Sequence, residues 1–276
     1  MRVLVAGGTG FIGGAAARAL GAAGHDVEVA GRARIQGALR ERWGAIVWAA
    51  GTRRATDADN LAEHATAPVA AVEHARELSR MVYLSSGEVY GAQPPPFHED
   101  LPLLGGSSYA RAKLAGEGGL AAAAGARGVA LTILRPSVVY GPGQTGPMFM
   151  PSLVQALATG VRFAMTGGEQ TRDLVFVDDV AAAIAAAVAG PPGTYNVSSG
   201  VEVEMRALAV AVADRFGPDA RGRLDLGALP YRDNEQMRYV LDPSRAAAAL
   251  GWRATTSLDA GLDRVVAAAR AVTATG

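Results

Sequence analysis

At 276 residues the chain can form one large domain, or one domain with a smaller lobe, and half of its residues are hydrophobic, enough for a sizeable core. Acidic and basic residues balance at 26 each, so no overall field favours nucleic acid or an anionic membrane surface. With no cysteine and four scattered histidines, the sequence excludes disulfides, thiolate metal sites and a cysteine nucleophile, and it shows no metal-ligand spacing.

"RVLVA" opens the chain as a strand, and a helix is expected over 11–23. Glycines at 7, 8, 10, 13 and 14, with Arg18 behind them, interrupt what would otherwise pass for a secretory leader. Strands follow at "DVEVA", "AIVWAA", "MVYLS" and "VALTILRP", with helices expected over 58–79 and 107–124. The runs are apolar throughout instead of alternating, which predicts a parallel sheet covered on both faces. Beyond Tyr140 the pattern loosens into a helix near 148–159, short strands and loops. The expected organisation is a dinucleotide-binding domain of residues 1–141 plus about 175–198, with a smaller substrate-binding lobe of 142–174 and 199–276. No stretch reaches the ~20 apolar residues a membrane span needs. A soluble, cytoplasmic protein is the expectation.

"VLVAGGTGFIGG" places Gly7, Gly10 and Gly13 between the first strand and the first helix. One glycine permits the tight turn, the next lets backbone approach a pyrophosphate, and the third lets helix and strand pack closely. Thr9, Phe11 and Ile12 complete the candidate loop, whose helix N-terminus favours phosphate. The fold class implied is α/β, a Rossmann-type doubly wound parallel sheet. At the end of the second strand, where an acidic side chain would bind the ribose 2'-hydroxyl of NAD, stands Gly31, followed by Arg32 and Arg34. Guanidinium groups there suit a 2'-phosphate, so NADP(H) is preferred, with NAD(H) the second choice.

"SSYARAKLAGE" contains the only lysine of the chain, Lys113, four residues after Tyr109 and therefore one helical turn away on the same face. An ammonium beside a phenol favours phenolate, which equips the tyrosine for general acid–base work at a carbonyl or carbinol. A compact ammonium can also reach ribose hydroxyls in a way the planar guanidinium cannot.

These motifs, with "MVYLSSGEVYG", "LRPSVVYGPG", "RDLVFVDDVAAAI", "GTYNVSSG" and "ALGW", resemble the extended short-chain dehydrogenase/reductase family, the NAD-dependent epimerase/dehydratase group, from Arg2 to about Leu262. The resemblance implies that Ser86 hydrogen-bonds the reacting oxygen, Tyr109 is the acid/base and Lys113 binds the nicotinamide ribose. It implies that Ala49, Ala50, Gly51, Pro136 and Val138 line the cofactor, and that Arg172 and Arg232 bind a sugar diphosphate. Glu88 and Val89 are further candidate substrate contacts.

Four departures from the family pattern stand out. Only Ala33 to Gly44 separates the second and third strands, where most members of the family fit a further strand with an adenine-contacting aspartate, and no such aspartate is present. Val138 and His64 each replace a frequent asparagine. The segment Ser86–Gly87–Glu88 keeps the glutamate of the dehydratases but loses their aspartate acid, which disfavours dehydration.

The expected activity is an NADPH-dependent ketoreductase, most like the 4-ketoreductases of nucleoside-diphosphate-4-keto-6-deoxyhexoses in antibiotic deoxysugar pathways. Three alternatives stay open: a nucleotide-sugar 4-epimerase with bound NAD, a reductase of polyketide or aromatic ketones suited to Val138 and "PMFMP", and a non-catalytic NADP sensor. Intact Ser86, Tyr109 and Lys113 argue against the sensor. By resemblance, a homodimer would pair through the helices at 58–79 and 107–124.

Overall fold

Val3, Leu4, Val5 and Ala6 are all fully buried, which a strand achieves only when both of its faces are covered. The computed structural model describes residues 1–51 and 56–275, apart from the side chains of Arg32 and residues 273–275. Its first half runs β1 (Arg2–Ala6), α1 (Phe11–Ala22), β2 (Asp26–Ala30), α2 (Arg32–Ala38), β3 (Arg42–Trp48) and α3 (Asp57–Leu61). A π-helical turn (Ala62–Thr66) then leads into α4 (Ala67–His74), β4 (Glu77–Leu84), α5 (Ser108–Arg127) and β5 (Ala130–Pro136). The second half comprises β6 (Val138–Tyr140), α6 (Phe149–Ala158), β7 (Phe163–Met165), β8 (Thr171–Phe176), α7 (Val177–Ala189) and β9 (Gly193–Val197). It closes with β10 (Glu202–Glu204), α8 (Met205–Asp214), β11 (Leu224–Leu226), β12 (Arg238–Tyr239), α9 (Ser244–Leu250) and α10 (Leu258–Thr275).

The main sheet has the order β2-β1-β3-β4-β5-β9, every pair parallel, as the apolar runs predicted. Side chains alternate between two cores. Val3, Val5, Val47, Val82 and Leu134 pack with α1 and α7, whereas Leu4, Ile46, Met81, Tyr83 and Ile133 pack with α2, α4 and α5. The chain leaves β1 toward β2 on one side and continues from β3 on the other, so a crevice opens at the carboxyl ends of β1 and β3. Ala6 is level with both Ala30 and Trp48, which brings the loops after β1, β2 and β3 out at one rim. Past β5, a small sheet β10-β8-β12, with β6 also paired to β8, and the pair β7-β11 are set among α6 and α8.

The helix expected over 58–79 is three elements, and β4 begins at Glu77 instead of Met81. Glu77 and Ser79 are exposed while Leu78 is half-buried, the alternation of a strand entering the sheet from its rim. No described helix is long and apolar enough to cross a membrane.

Candidate active site

The glycine loop is shaped by close approach. Gly7 has φ +83°, and a Cβ there would lie 2.6 Å from the Ala50 backbone, so β1 and β3 converge through this residue. A Cβ on Gly13 would lie 2.1 Å from the Gly7 carbonyl oxygen. The α1 N-cap, Gly10, has no side-chain hydrogen bond to the first turn, which leaves those N–H groups for an outside acceptor. Thr9 and Gly10 are exposed, and Phe11 and Ile12 half-buried. The position a Cβ would take on Gly31 is 3.4 Å from Thr9 Oγ1, so the turn after β2 borders the same loop. Arg34 is exposed on α2 in that turn, while the Arg32 side chain lies outside the described residues. These glycines form a cradle that side chains would fill, and it suits the pyrophosphate of a dinucleotide; the backbone of Ala49 and Ala50 borders it at Gly7, whereas Gly51 faces the His64 ring.

The candidate catalytic residues come from two adjoining elements. Ser86 follows β4 and accepts a hydrogen bond from the Glu88 N–H at 3.2 Å. Tyr109 and Lys113 stand on α5, which Ser107 caps by accepting from the Ala110 N–H at 3.0 Å. Lys113 is 4% exposed; its Nζ donates to the Leu84 carbonyl at 2.7 Å and lies 5.7 Å from the Tyr109 ring centre and 4.9 Å from that of Tyr83. Burial pulls the ammonium down from 10.5 to about 7, against the opposing pull of Glu117 and Glu63. Glu117, one turn further along α5, accepts from Ser85 Oγ at 2.5 Å and from Arg135 at 3.0 and 2.6 Å. The Tyr109 ring meets that of His64 edge-on, centres 4.9 Å apart.

On the substrate side, Ser107 donates to Glu88 at 3.3 Å. Val89 is fully buried with Tyr90, Phe97 and Leu241, so its side chain belongs to that cluster. Arg172 is engaged by the Glu235 carboxylate and by the carbonyls of Thr171 and Gln236, both at 2.7 Å. Arg232 is exposed, at the start of the turn in which Glu235 N–H bonds its carbonyl. Pro136 is buried, and Val138 lines an apolar pocket with Met148, Phe149 and Leu174, beside Arg172. Sequence reasoning missed Tyr239, whose hydroxyl lies against Gly87: a Cβ there would be 2.3 Å from it. Burial holds this phenol well above the ordinary tyrosine range, with Glu88 and Asp173 adding to the effect.

The model of the NAD dependent epimerase/dehydratase family matches residues 3–198. The chain belongs to that family. Its members are extended short-chain dehydrogenase/reductase enzymes. Among its relatives is the UDP-glucose 4-epimerase of Mycolicibacterium smegmatis, 35% identical over 68% of this chain and 61% of the epimerase. The dTDP-4-dehydro-6-deoxyglucose reductase of Escherichia coli is 29% identical over 69% of this chain and 61% of the reductase. This family member thus spans about three fifths of the length of those relatives. The dTDP-glucose 4,6-dehydratase DesIV of Streptomyces venezuelae, solved with NAD and TYD bound, superposes with a TM-score of 0.89 at 26% identity, covering 100% of this chain and 98% of DesIV. Arg232, Glu235 and Tyr239 lie beyond the part of the chain that the family model matches.

Proposed function

We propose that the protein is an NADPH-dependent ketoreductase acting on the 4-keto group of a nucleoside-diphosphate-linked 6-deoxyhexose, as in antibiotic deoxysugar pathways. The observation that carries the reading is the turn after β2. It places Gly31 beside Thr9 where a carboxylate would select NAD, with the exposed Arg34 three residues on in α2, and a guanidinium favours the extra phosphate of NADP(H). Gly7, Thr9, Gly10 and Gly13 would hold the pyrophosphate, and Lys113 the nicotinamide ribose. A bound reduced nicotinamide supplies hydride to the carbonyl carbon. Ser86 orients the carbonyl oxygen, and Tyr109 gives that oxygen its proton, leaving a phenolate that the Lys113 ammonium stabilises until solvent reprotonates it.

Loss of NADPH absorbance on adding dTDP-4-keto-6-deoxyglucose tests the reading. NADPH is expected to support turnover at least tenfold better than NADH, and Tyr109→Phe to lower kcat by about 10²- to 10⁴-fold while still binding NADPH. Equal use of NADH, or full activity of Tyr109→Phe, contradicts it. A second reading, a 4-epimerase with retained NAD, draws on the identity to the mycobacterial epimerase and predicts turnover without added cofactor. A ketone panel including polyketide substrates covers the apolar pocket at Val138. A homodimer through α3, α4 and α5 belongs to the same proposal, and light scattering in solution checks it.

A further inference from the structure

His64 is placed with more structural provision than a core histidine needs. It is fully buried, at the centre of the single π-helical turn, Ala62–Thr66, that interrupts the α3–α4 segment. Such turns insert one residue into a helix and re-aim the side chains around it. Two glycines from different elements leave room for this residue. A Cβ on Gly51, which has φ +111°, would lie 2.4 Å from His64 Cε1, and a Cβ on Gly116 of α5 would lie 2.1 Å from the His64 carbonyl oxygen. Tyr83 of β4 donates its hydroxyl to that carbonyl at 2.6 Å. The loop after β3 and Tyr109 of α5 therefore close on the His64 ring, while Tyr83 of β4 and Gly116 of α5 close on its carbonyl. Its ring meets Tyr109 at 4.9 Å between centres and an interplanar angle of 87°.

A phenol on the first turn of a helix has two soft torsions, and proton transfer requires its oxygen in one place. The Tyr109 ring is only half-buried, so α5 alone does not fix it. A perpendicular aromatic contact is favourable and directional, because a ring edge carries partial positive charge and a ring face negative. Lys113 approaches the same phenol from α5, with its Nζ 5.7 Å from the ring centre. We propose that His64 is a positioning residue for the candidate acid: its ring holds the Tyr109 phenol in the attitude at which Lys113 and Ser86 act with it. This inference rests on the reading of Tyr109 as the proton donor.

The test uses the full chain with ¹³C-labelled tyrosine rings and three variants: His64→Ala, which removes the ring, His64→Phe, which keeps a ring of similar shape, and Tyr109→Phe, which assigns the Tyr109 resonance by its loss. In His64→Ala the Tyr109 resonance is expected to shift, and kcat with NADPH and dTDP-4-keto-6-deoxyglucose to fall about tenfold, with KM for each within about threefold. His64→Phe is expected to restore kcat to within about threefold of the native protein. If His64→Ala does not fold, His64→Asn, which also lacks a ring, is read in its place. An unmoved Tyr109 resonance overturns the proposal, as does a moved resonance with unchanged kcat, or a folded His64→Phe as slow as the ringless variant. If the native protein does not reduce the ketone, the functional reading fails instead, and the resonance alone decides the positioning.

Discussion

Burial makes the Lys113 ammonium easier to deprotonate, and that has a measurable consequence. In the unfolded chain its ammonium titrates at the ordinary 10.5, whereas burial brings the folded value to about 7. Below pH 7 the residue is protonated in both states and the burial penalty is fully present. Between 7 and 10.5 the unfolded state binds the extra proton, so stability rises with pH across that window. Lys113→Met removes the titration. Urea melts of the cofactor-free proteins at pH 6 and pH 9 should show the native chain gaining on the order of 2–3 kcal/mol relative to the variant. Parallel pH dependence of the two would contradict this account. Tyr109 and Lys113 were legible in the sequence because both stand on one helix, where spacing alone sets their relation. His64 was visible only as a departure from a motif, since its contact with Tyr109 spans 45 residues of chain and depends on the π turn. Tyr239 left no such trace, because only the packing of β12 brings its hydroxyl to Gly87.

Among elements, the long parallel strands and the glycine loop could be read from sequence because composition and local geometry both favour them. The segment 58–79 could not, since alanine-rich sequence supports helix almost anywhere and conceals where β4 begins. The three-residue strands β6, β7, β10 and β11 and the two-residue β12 are set by tertiary pairing rather than by any pattern of their own. The same contrast between local and tertiary control separates two glycines in the helices. Gly13 lies where α1 crosses the β1 turn, and its Cβ would overlap the Gly7 carbonyl; Gly118 is exposed on α5, and a Cβ there meets nothing within 4 Å. Gly13→Ala is expected to cost about 1–3 kcal/mol and to weaken NADPH binding at least tenfold, through displacement of the phosphate loop. Gly118→Ala is expected to stabilise by about 0.5–1 kcal/mol with NADPH affinity unchanged. Thermal melts and nucleotide titrations read both. A Gly13→Ala protein that binds NADPH normally would mean that the loop is not the cradle.

Across the whole molecule, a buried polar chain joins the helix of Lys113 to the outer elements. Glu117 of α5 takes both Ser85 and the guanidinium of Arg135, which reaches the Tyr90 hydroxyl at 3.2 Å. Tyr90 donates to Asn196 Oδ1 at 2.7 Å, and Asn196 Nδ2 donates to the carbonyls of Phe97 and Asp242 at 2.9 and 3.2 Å. Glu117 and Arg135 are 6% and 4% exposed, so the pair cannot fall back on water if one member is lost. Removing one charge from such a pair typically costs about 3–5 kcal/mol, because the survivor is left desolvated, whereas replacing both by neutral groups of similar size is often close to neutral. Glu117→Gln should therefore be strongly destabilising, and Glu117→Gln with Arg135→Met should recover most of the loss. Recovery in the double variant, read from urea midpoints, separates the penalty of an unpaired charge from the worth of the pair itself. If the double variant is no more stable than Glu117→Gln, the connections onward through Tyr90 and Asn196 carry the stability, and Arg135 is needed for its reach to the outer elements as well as for its charge.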